Sequence, residues 1–147
     1  MKLFLSTYHS KLDIKHRLSI PASFRSVIKE KSSSYIYAYP SFVHDCIEVC
    51  TSDMMESLQR HIESLDLFSE EREALATAVL GGGEQLLVDL KGRVGISERL
   101  FEFAGLDKEA LFVGKGNTFE IWAPDRFKPH FAEARKVAKD TRIRTNR

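Results

Sequence analysis

A short motif occurs twice in the 147-residue chain, and its recurrence limits the possible architectures more than any other feature. Residues 13–20 read Asp13-Ile14-Lys15-His16-Arg17-Leu18-Ser19-Ile20, and residues 89–96 read Asp89-Leu90-Lys91-Gly92-Arg93-Val94-Gly95-Ile96. Asp, Lys, Arg and the closing Ile coincide at an offset of 76. Further on, Cys46-Ile47-Glu48-Val49 matches the pattern of Thr118-Phe119-Glu120-Ile121 at an offset of 72, so the first copy holds four extra residues in between. Two matches in the same order point to one structural unit built twice.

Periodicity gives each copy the same succession of elements. Alternating stretches, Phe4 to Tyr8 and Glu84 to Val88, precede the motif as strands, and a short aliphatic strand follows it, which makes the motif a hairpin turn. Pro21 suits a first helical turn and predicts a helix to Lys29; Ser97 caps a second from Glu98 to Ala104, which Gly105 ends. Two strands close each copy: Tyr35 to Ala38 and Cys46 to Cys50 in the first, Ala110 to Val113 and Thr118 to Ile121 in the second. Between the copies, Asp53 to Leu65 and Ser69 to Leu80 have helical spacing, and Gly81-Gly82-Gly83 ends the second of these helices. A last helix starts near Pro124 and runs through Phe127, Phe131 and Ala134, with fraying expected beyond Lys139.

Inside the turn, an Asp side chain accepts hydrogen bonds from backbone N–H groups just ahead of it, and Gly92 tolerates positive φ. His16 holds the matching place in the first copy and belongs to the few non-glycine types enriched there. Lys and Arg then project from a tight loop in both copies, as phosphate positioning and base-edge contact require. The competing reading pairs Arg17 and Arg93 with Asp13 and Asp89 of their own turns.

Charge distribution supports the first reading where the total does not. Net charge is only +1, yet residues 1–31 and 127–147 each carry seven basic and two acidic groups, while residues 53–80 carry two basic and seven acidic. Local fields able to attract a polyanion are thereby concealed in a near-neutral total. The tail cations Arg135, Lys136, Lys139, Arg142, Arg144 and Arg147 are read as a solvated helix end, and Glu56, Glu63, Asp66, Glu70, Glu71 and Glu73 as a solvated acidic face.

Other chemistries find little support. Gly81-Gly82-Gly83 lacks the Lys and Ser or Thr of a phosphate loop, Gly114-Lys115-Gly116-Asn117 lacks a dinucleotide context, and the five histidines join no nucleophile or carboxylate pair. No catalytic residue, metal ligand, cofactor or small-molecule substrate is therefore expected. Cys46 and Cys50, four residues apart on one strand face and thus about 13 Å from each other, are read as reduced, partly buried thiols; with His44 they stand too far apart to share an ion. With 43% hydrophobic residues but no apolar run of membrane length, and a start too polar for a secretion signal, the reading is a cytoplasmic protein with no membrane partner.

The doubled signature, Asp13 to Arg25 with Ile20-Pro21-Ala22-Ser23-Phe24-Arg25 and Asp89 to Leu106 with Phe103-Ala104-Gly105-Leu106, resembles the MraZ family. Gly116-Asn117-Thr118-Phe119-Glu120-Ile121-Trp122 completes the likeness, which spans all but the last stretch of about 20 residues. It implies a mixed α/β fold: two pseudo-repeated, AbrB-like swapped-hairpin modules, rich in β-strand, in a compact barrel-like unit with flanking helices. The expected boundaries are 6–53 for the first module, 54–81 for a helical linker, 82–125 for the second module and 126–147 for the last helix and tail. Functionally it implies a nucleoid-associated regulator that forms a homo-oligomeric ring and binds double-stranded DNA at short direct repeats upstream of the cell-wall and division gene cluster, its own gene included. Carried over by position, the DNA-facing residues are Lys15, His16, Arg17, Lys91, Gly92 and Arg93. Three positions depart from the pattern: His16 replaces Gly, Ser97 replaces Pro, and Phe101 stands where the first copy has Arg25. A ring-forming protein-interaction scaffold that works through the acidic middle is the alternative.

Overall fold

Each motif turn sends the strand that follows it out of the sheet that the preceding strand joins, and the architecture follows from that division. The computed structural model describes residues 3–31 and 35–145, with side chains as far as residue 142. In chain order the first copy supplies β1 (Thr7–Lys11), β2 (Arg17–Ser19), α1 (Ala22–Glu30), β3 (Tyr35–Pro40) and β4 (Ile47–Cys50). After α2 (Ser52–Ser64) and α3 (Glu70–Leu75), the second copy supplies β5 (Glu84–Leu87), β6 (Arg93–Gly95), α4 (Glu98–Ala104), β7 (Glu109–Gly114) and β8 (Thr118–Trp122), and α5 (Pro124–Thr145) ends the chain.

A six-stranded antiparallel sheet runs in the order β1-β7-β8-β4-β3-β5, and β2 pairs only with β6. Exchanging the two copies leaves that order unchanged. The first strand of each copy adds to the strands of the other: Thr7–Lys11 to Glu109–Val113, and Glu84–Leu87 to Tyr35–Ala38. The expected barrel-like unit does not form. Because β2 and β6 pair with each other, neither is left to bridge β1 to β5, and these two remain the edges of an open sheet.

The core fills the space between sheet, ribbon and the short helices. Phe4, Phe24, Phe112 and Phe119 are fully buried and touch edge-to-face or tilted, with centroids 4.9–6.2 Å apart. Leu18 and Val94 cap this cluster from the ribbon, Val27 and Ile28 from α1, and Leu100 and Ala104 from α4. In α4, Ser97 Oγ accepts the Leu100 N–H, and Gly105 takes a left-handed conformation at φ 65° that ends the helix.

Several boundaries differ from expectation. The first strand begins at Thr7 rather than Phe4, because Ser6 adopts φ 79° and Phe4 instead exchanges two backbone bonds with Gly116, at 2.8 and 3.0 Å. The helix expected from Ser69 to Leu80 is α-helical only to Leu75 and π-helical over Ala76–Gly81, where the Gly82 N–H reaches back five residues to the Thr77 carbonyl. Far from fraying beyond Lys139, α5 continues to Thr145. Met1 and Lys2 of the opening stretch, the Arg144 side chain and Arg147 lie outside the described residues.

Cys46 and Cys50 are free and fully buried rather than partly so, and burial pushes both thiols up, Cys50 to about 12. The His44 ring packs among the rings of Trp122 and His130. It lies 4.3 Å, centroid to centroid, from His130 of α5, which itself stacks on Trp122 at 4.4 Å. Trp122 Nε1 donates to buried Glu120 at 2.9 Å, and Lys115 Nζ stands 3.7 Å from the same carboxylate. Burial, with the neighbouring His44, holds the His130 imidazole below its ordinary 6.5. Since the folded protein favours the neutral ring, the docking of α5 weakens as pH falls below 6.5 toward the lowered value. Trp122, the chain's one tryptophan, is expected to change its fluorescence as pH falls from 6.5 toward that lowered value in the wild type, and much less in His130→Gln. Identical pH profiles for the two proteins would contradict this assignment.

Candidate nucleic-acid interface

Both turns are built by the same carboxylate geometry. Asp13 Oδ1 accepts the N–H groups of Lys15 and Arg17, each at 2.9 Å, while Oδ2 takes Arg17 Nε at 2.7 Å. Asp89 repeats this with Lys91 at 2.9 Å, Arg93 N–H at 2.8 Å and Arg93 Nε at 3.0 Å. Backbone bonds from Asp13 N–H to the Arg17 carbonyl and from Asp89 N–H to the Arg93 carbonyl close the loops. The Arg17 and Arg93 backbone N–H groups are the main reason both carboxyls sit below the usual Asp value. His16 and Gly92 take the required positive φ, 56° and 75°.

The pairing of each arginine with its own aspartate therefore forms. It engages Nε, and the Nη nitrogens of Arg17 and Arg93 have no partner among the described residues. Their side chains are half-buried, 30% and 28% exposed, and fixed by the turn at one nitrogen. A preset guanidinium loses less freedom on meeting a second acceptor.

Ribbon register brings the two arginines together. Arg17 lies opposite Gly95, Leu18 opposite Val94, and Ser19 opposite Arg93. Side chains alternate along a strand, so buried Leu18 and Val94 occupy the inner face, and Arg17, Ser19, Arg93 and Gly95 the outer one. Arg17 and Arg93 are diagonal neighbours, about 7–8 Å apart on that face. Lys15 and Lys91 stand exposed on the adjoining turns. Each turn is also braced by the strand end of the other copy, since the Ile20 N–H donates to the Gly92 carbonyl and the Ile96 N–H to the His16 carbonyl, both at 2.9 Å. Of the six residues expected from the sequence, Arg17 and Arg93 lie on the ribbon, Lys15 and Lys91 are exposed on its turns, His16 is half-buried and Gly92 is buried. Such a ribbon is slim enough for the major groove of B-DNA, and its paired guanidinium groups suit phosphates or the O6 and N7 acceptors of guanine.

The three departures from the family pattern find their reasons here. The His16 ring lies flat on Phe101 of α4, with centroids 4.1 Å apart and 3° between the planes. In the equivalent place of the other copy, Arg25 of α1 crosses Gly92 so closely that a Cβ there would come within 2.4 Å of its Cδ. A ring over a ring replaces a guanidinium stem over a glycine, so the exchanges at positions 16 and 101 complement each other. Ser97, besides capping α4, donates to Glu84 Oε2 at 2.9 Å, and Arg99 joins the same carboxylate at 2.7 Å. Sequence reading missed these contacts, which join residues far apart in the chain; the offset of 76 that places Phe101 against Arg25 was the available signal.

Comparison with known proteins finds relatives along nearly the whole chain. The profile of the family described as "MraZ protein, putative antitoxin-like" matches residues 79–146. A protein of Rickettsia felis named "Transcriptional regulator MraZ" is 43% identical over 143 residues, covering 97% of this chain and 96% of its own. The chain belongs to the MraZ family. Relatives of the same name from Rickettsia akari and Rickettsia bellii are each 42% identical, again over 97% of this chain and 96% of theirs. The family profile thus covers the second turn, and the relatives cover both.

Among the described residues no helix is long and apolar enough to cross a membrane, and no three His, Cys, Asp or Glu side chains gather to hold a metal. For the turns themselves, Gly92→Ala is expected to cost more than the roughly 1–2 kcal/mol of left-handed strain, because its Cβ also displaces Arg25, measured by urea unfolding. A double-mutant cycle of His16→Ala and Phe101→Ala is expected to show a coupling of about 0.5–1.5 kcal/mol; additive effects would mean that the stacked pair adds nothing.

Proposed function

We propose that this chain is a sequence-specific, DNA-binding transcriptional regulator without catalytic activity, and that the outer face of the β2–β6 ribbon is its reading surface. One observation carries the reading: the register sets Arg17 beside Arg93 on an exposed ribbon face, each preset by its own aspartate, with Lys15 and Lys91 at the flanking turns. In this reading the arginines take guanine edges or phosphates, the lysines take phosphates, and His16 and Gly92 shape the turns that present them. The names of the relatives support the regulatory role.

The resemblance extends the proposal. Two AbrB-like swapped-hairpin modules, 6–53 and 82–125, form the unit, with 54–81 as the linker and 126–147 as the closing helix and tail. Homo-oligomeric ring assembly would let several ribbons engage short direct repeats upstream of the cell-wall and division genes, where linkage of weak contacts multiplies affinity. Location in the cytoplasm, on the nucleoid, accords with that target.

A second reading is favoured by a different observation. Leu67 and Phe68, between α2 and α3, are 67% and 95% exposed beside Glu70, Glu71 and Glu73, as a protein-binding scaffold would present them. Fluorescence anisotropy separates the two, using labelled DNA from upstream of this protein's own gene and a scrambled duplex at two salt concentrations. A DNA reader prefers the first duplex, binds it less tightly as salt rises, and loses about tenfold or more with Arg17→Ala or Arg93→Ala. Equal, weak binding to both duplexes, unchanged by either substitution, would favour the scaffold.

A further inference from the structure

Among the described residues, the most exposed aliphatic side chains sit on the two basic turns. Ile14 is 96% and Leu90 is 108% exposed; among the described large hydrophobics only Phe68 is comparable, and the next reach 67%. A single exposed apolar residue is ordinary and calls for no explanation. These two occupy the same place in the two copies, each between the Asp that ties the turn and the Lys that follows it. Turn tips favour Gly, Asn, Asp or Ser, and a β-branched residue such as Ile14 gains nothing there in the free protein. Within the chain neither residue joins the core, so their apolar character has no use until something covers the turn.

Resting on the reading of the ribbon as a DNA-binding face, we propose that Ile14 and Leu90 are specificity-determining residues, each of which packs against the 5-methyl group of a thymine in the major groove. Of the groups that base edges present in that groove, the thymine methyl is the apolar one, and short aliphatic contacts recognise it. The flanking residues supply the complementary functions. Lys15 and Lys91 follow immediately for phosphate, and Arg17 and Arg93 each open one strand of the ribbon, diagonal to one another. Each half of the site therefore offers an apolar probe at the tip and a guanidinium fork three residues further on, and the near two-fold exchange of the copies gives the reading face two such halves. Position 14 or 90 would set whether a thymine is preferred over the other pyrimidine, while the arginines set affinity.

The test removes the methyl without touching the protein. A random duplex library is selected on the full wild-type chain, and each thymine of the selected duplex is replaced in turn by uracil, which pairs identically but lacks the methyl. Wild type is expected to lose about three- to fivefold in Kd at one or two thymine positions, the worth of a buried methyl group. Ile14→Ala or Leu90→Ala should make one of those positions indifferent to uracil while keeping the dependence on Arg17 and Arg93; both side chains are exposed, so the fold has no stake in them. Equal affinity of wild type for every thymine and uracil duplex would overturn the proposal and leave the DNA-binding reading intact, as would uracil losses identical in wild type and both variants. Failure to enrich any duplex would overturn both.

Discussion

Everything distinctive in this structure depends on the pairing of two three-residue strands. β2 and β6 are too short to stand alone, yet their register sets which residues face the core and which face out. Slipping it by one residue would drive Arg17 and Arg93 inward and expose Leu18 and Val94. The aspartate turns prevent this, because each fixes the exit of its strand through two N–H bonds and then locks to the end of the other copy's strand through the Ile96 or Ile20 amide. Pairing of the ribbon also withdraws both strands from the main sheet, which leaves that sheet open and commits each copy's first strand to the other copy's ladder.

Local signals reproduce much of this from the sequence, and where they fall short the reason is physical. Ser97, Glu98 to Ala104 and Gly105 are legible as cap, helix and stop because each acts within one turn of its neighbours. Tyr35, Glu84, Thr118 and Pro124 likewise begin their elements where alternation or a helix-starting proline places them. Strand partnership is another matter. Alternation in Thr7–Lys11 says nothing of whether β1 joins its own copy or Glu109–Val113 of the other, and so neither the exchange nor the open edges could be read from it. The shift of β1 turns on Ser6, a non-glycine residue at positive φ, which residue type does not reveal.

The candidate site was legible in composition but not in arrangement. Asp, Lys and Arg in register mark the two turns; the structure sets Arg17 and Arg93 on one ribbon, Lys15 and Lys91 exposed on its turns, His16 half-buried on Phe101 and Gly92 buried beneath Arg25. That Arg17 and Arg93 neighbour one another, however, depends on a pairing between segments 76 residues apart. The same distance hides the stacking of His16 on Phe101, so that two apparent departures become one compensated exchange. Internal Asp–Arg pairing and an outward role are compatible here, because the first uses Nε and leaves the Nη nitrogens without a partner among the described residues.

The central claim, that the ribbon's outer face is the reading surface, is tested most directly by amide NMR of the isotope-labelled full chain titrated with DNA from upstream of its own gene. The account predicts that the strongest shifts cluster at residues 14–19 and 90–95, in both copies together. Shifts confined to α2 and α3, or to one copy alone, would contradict it.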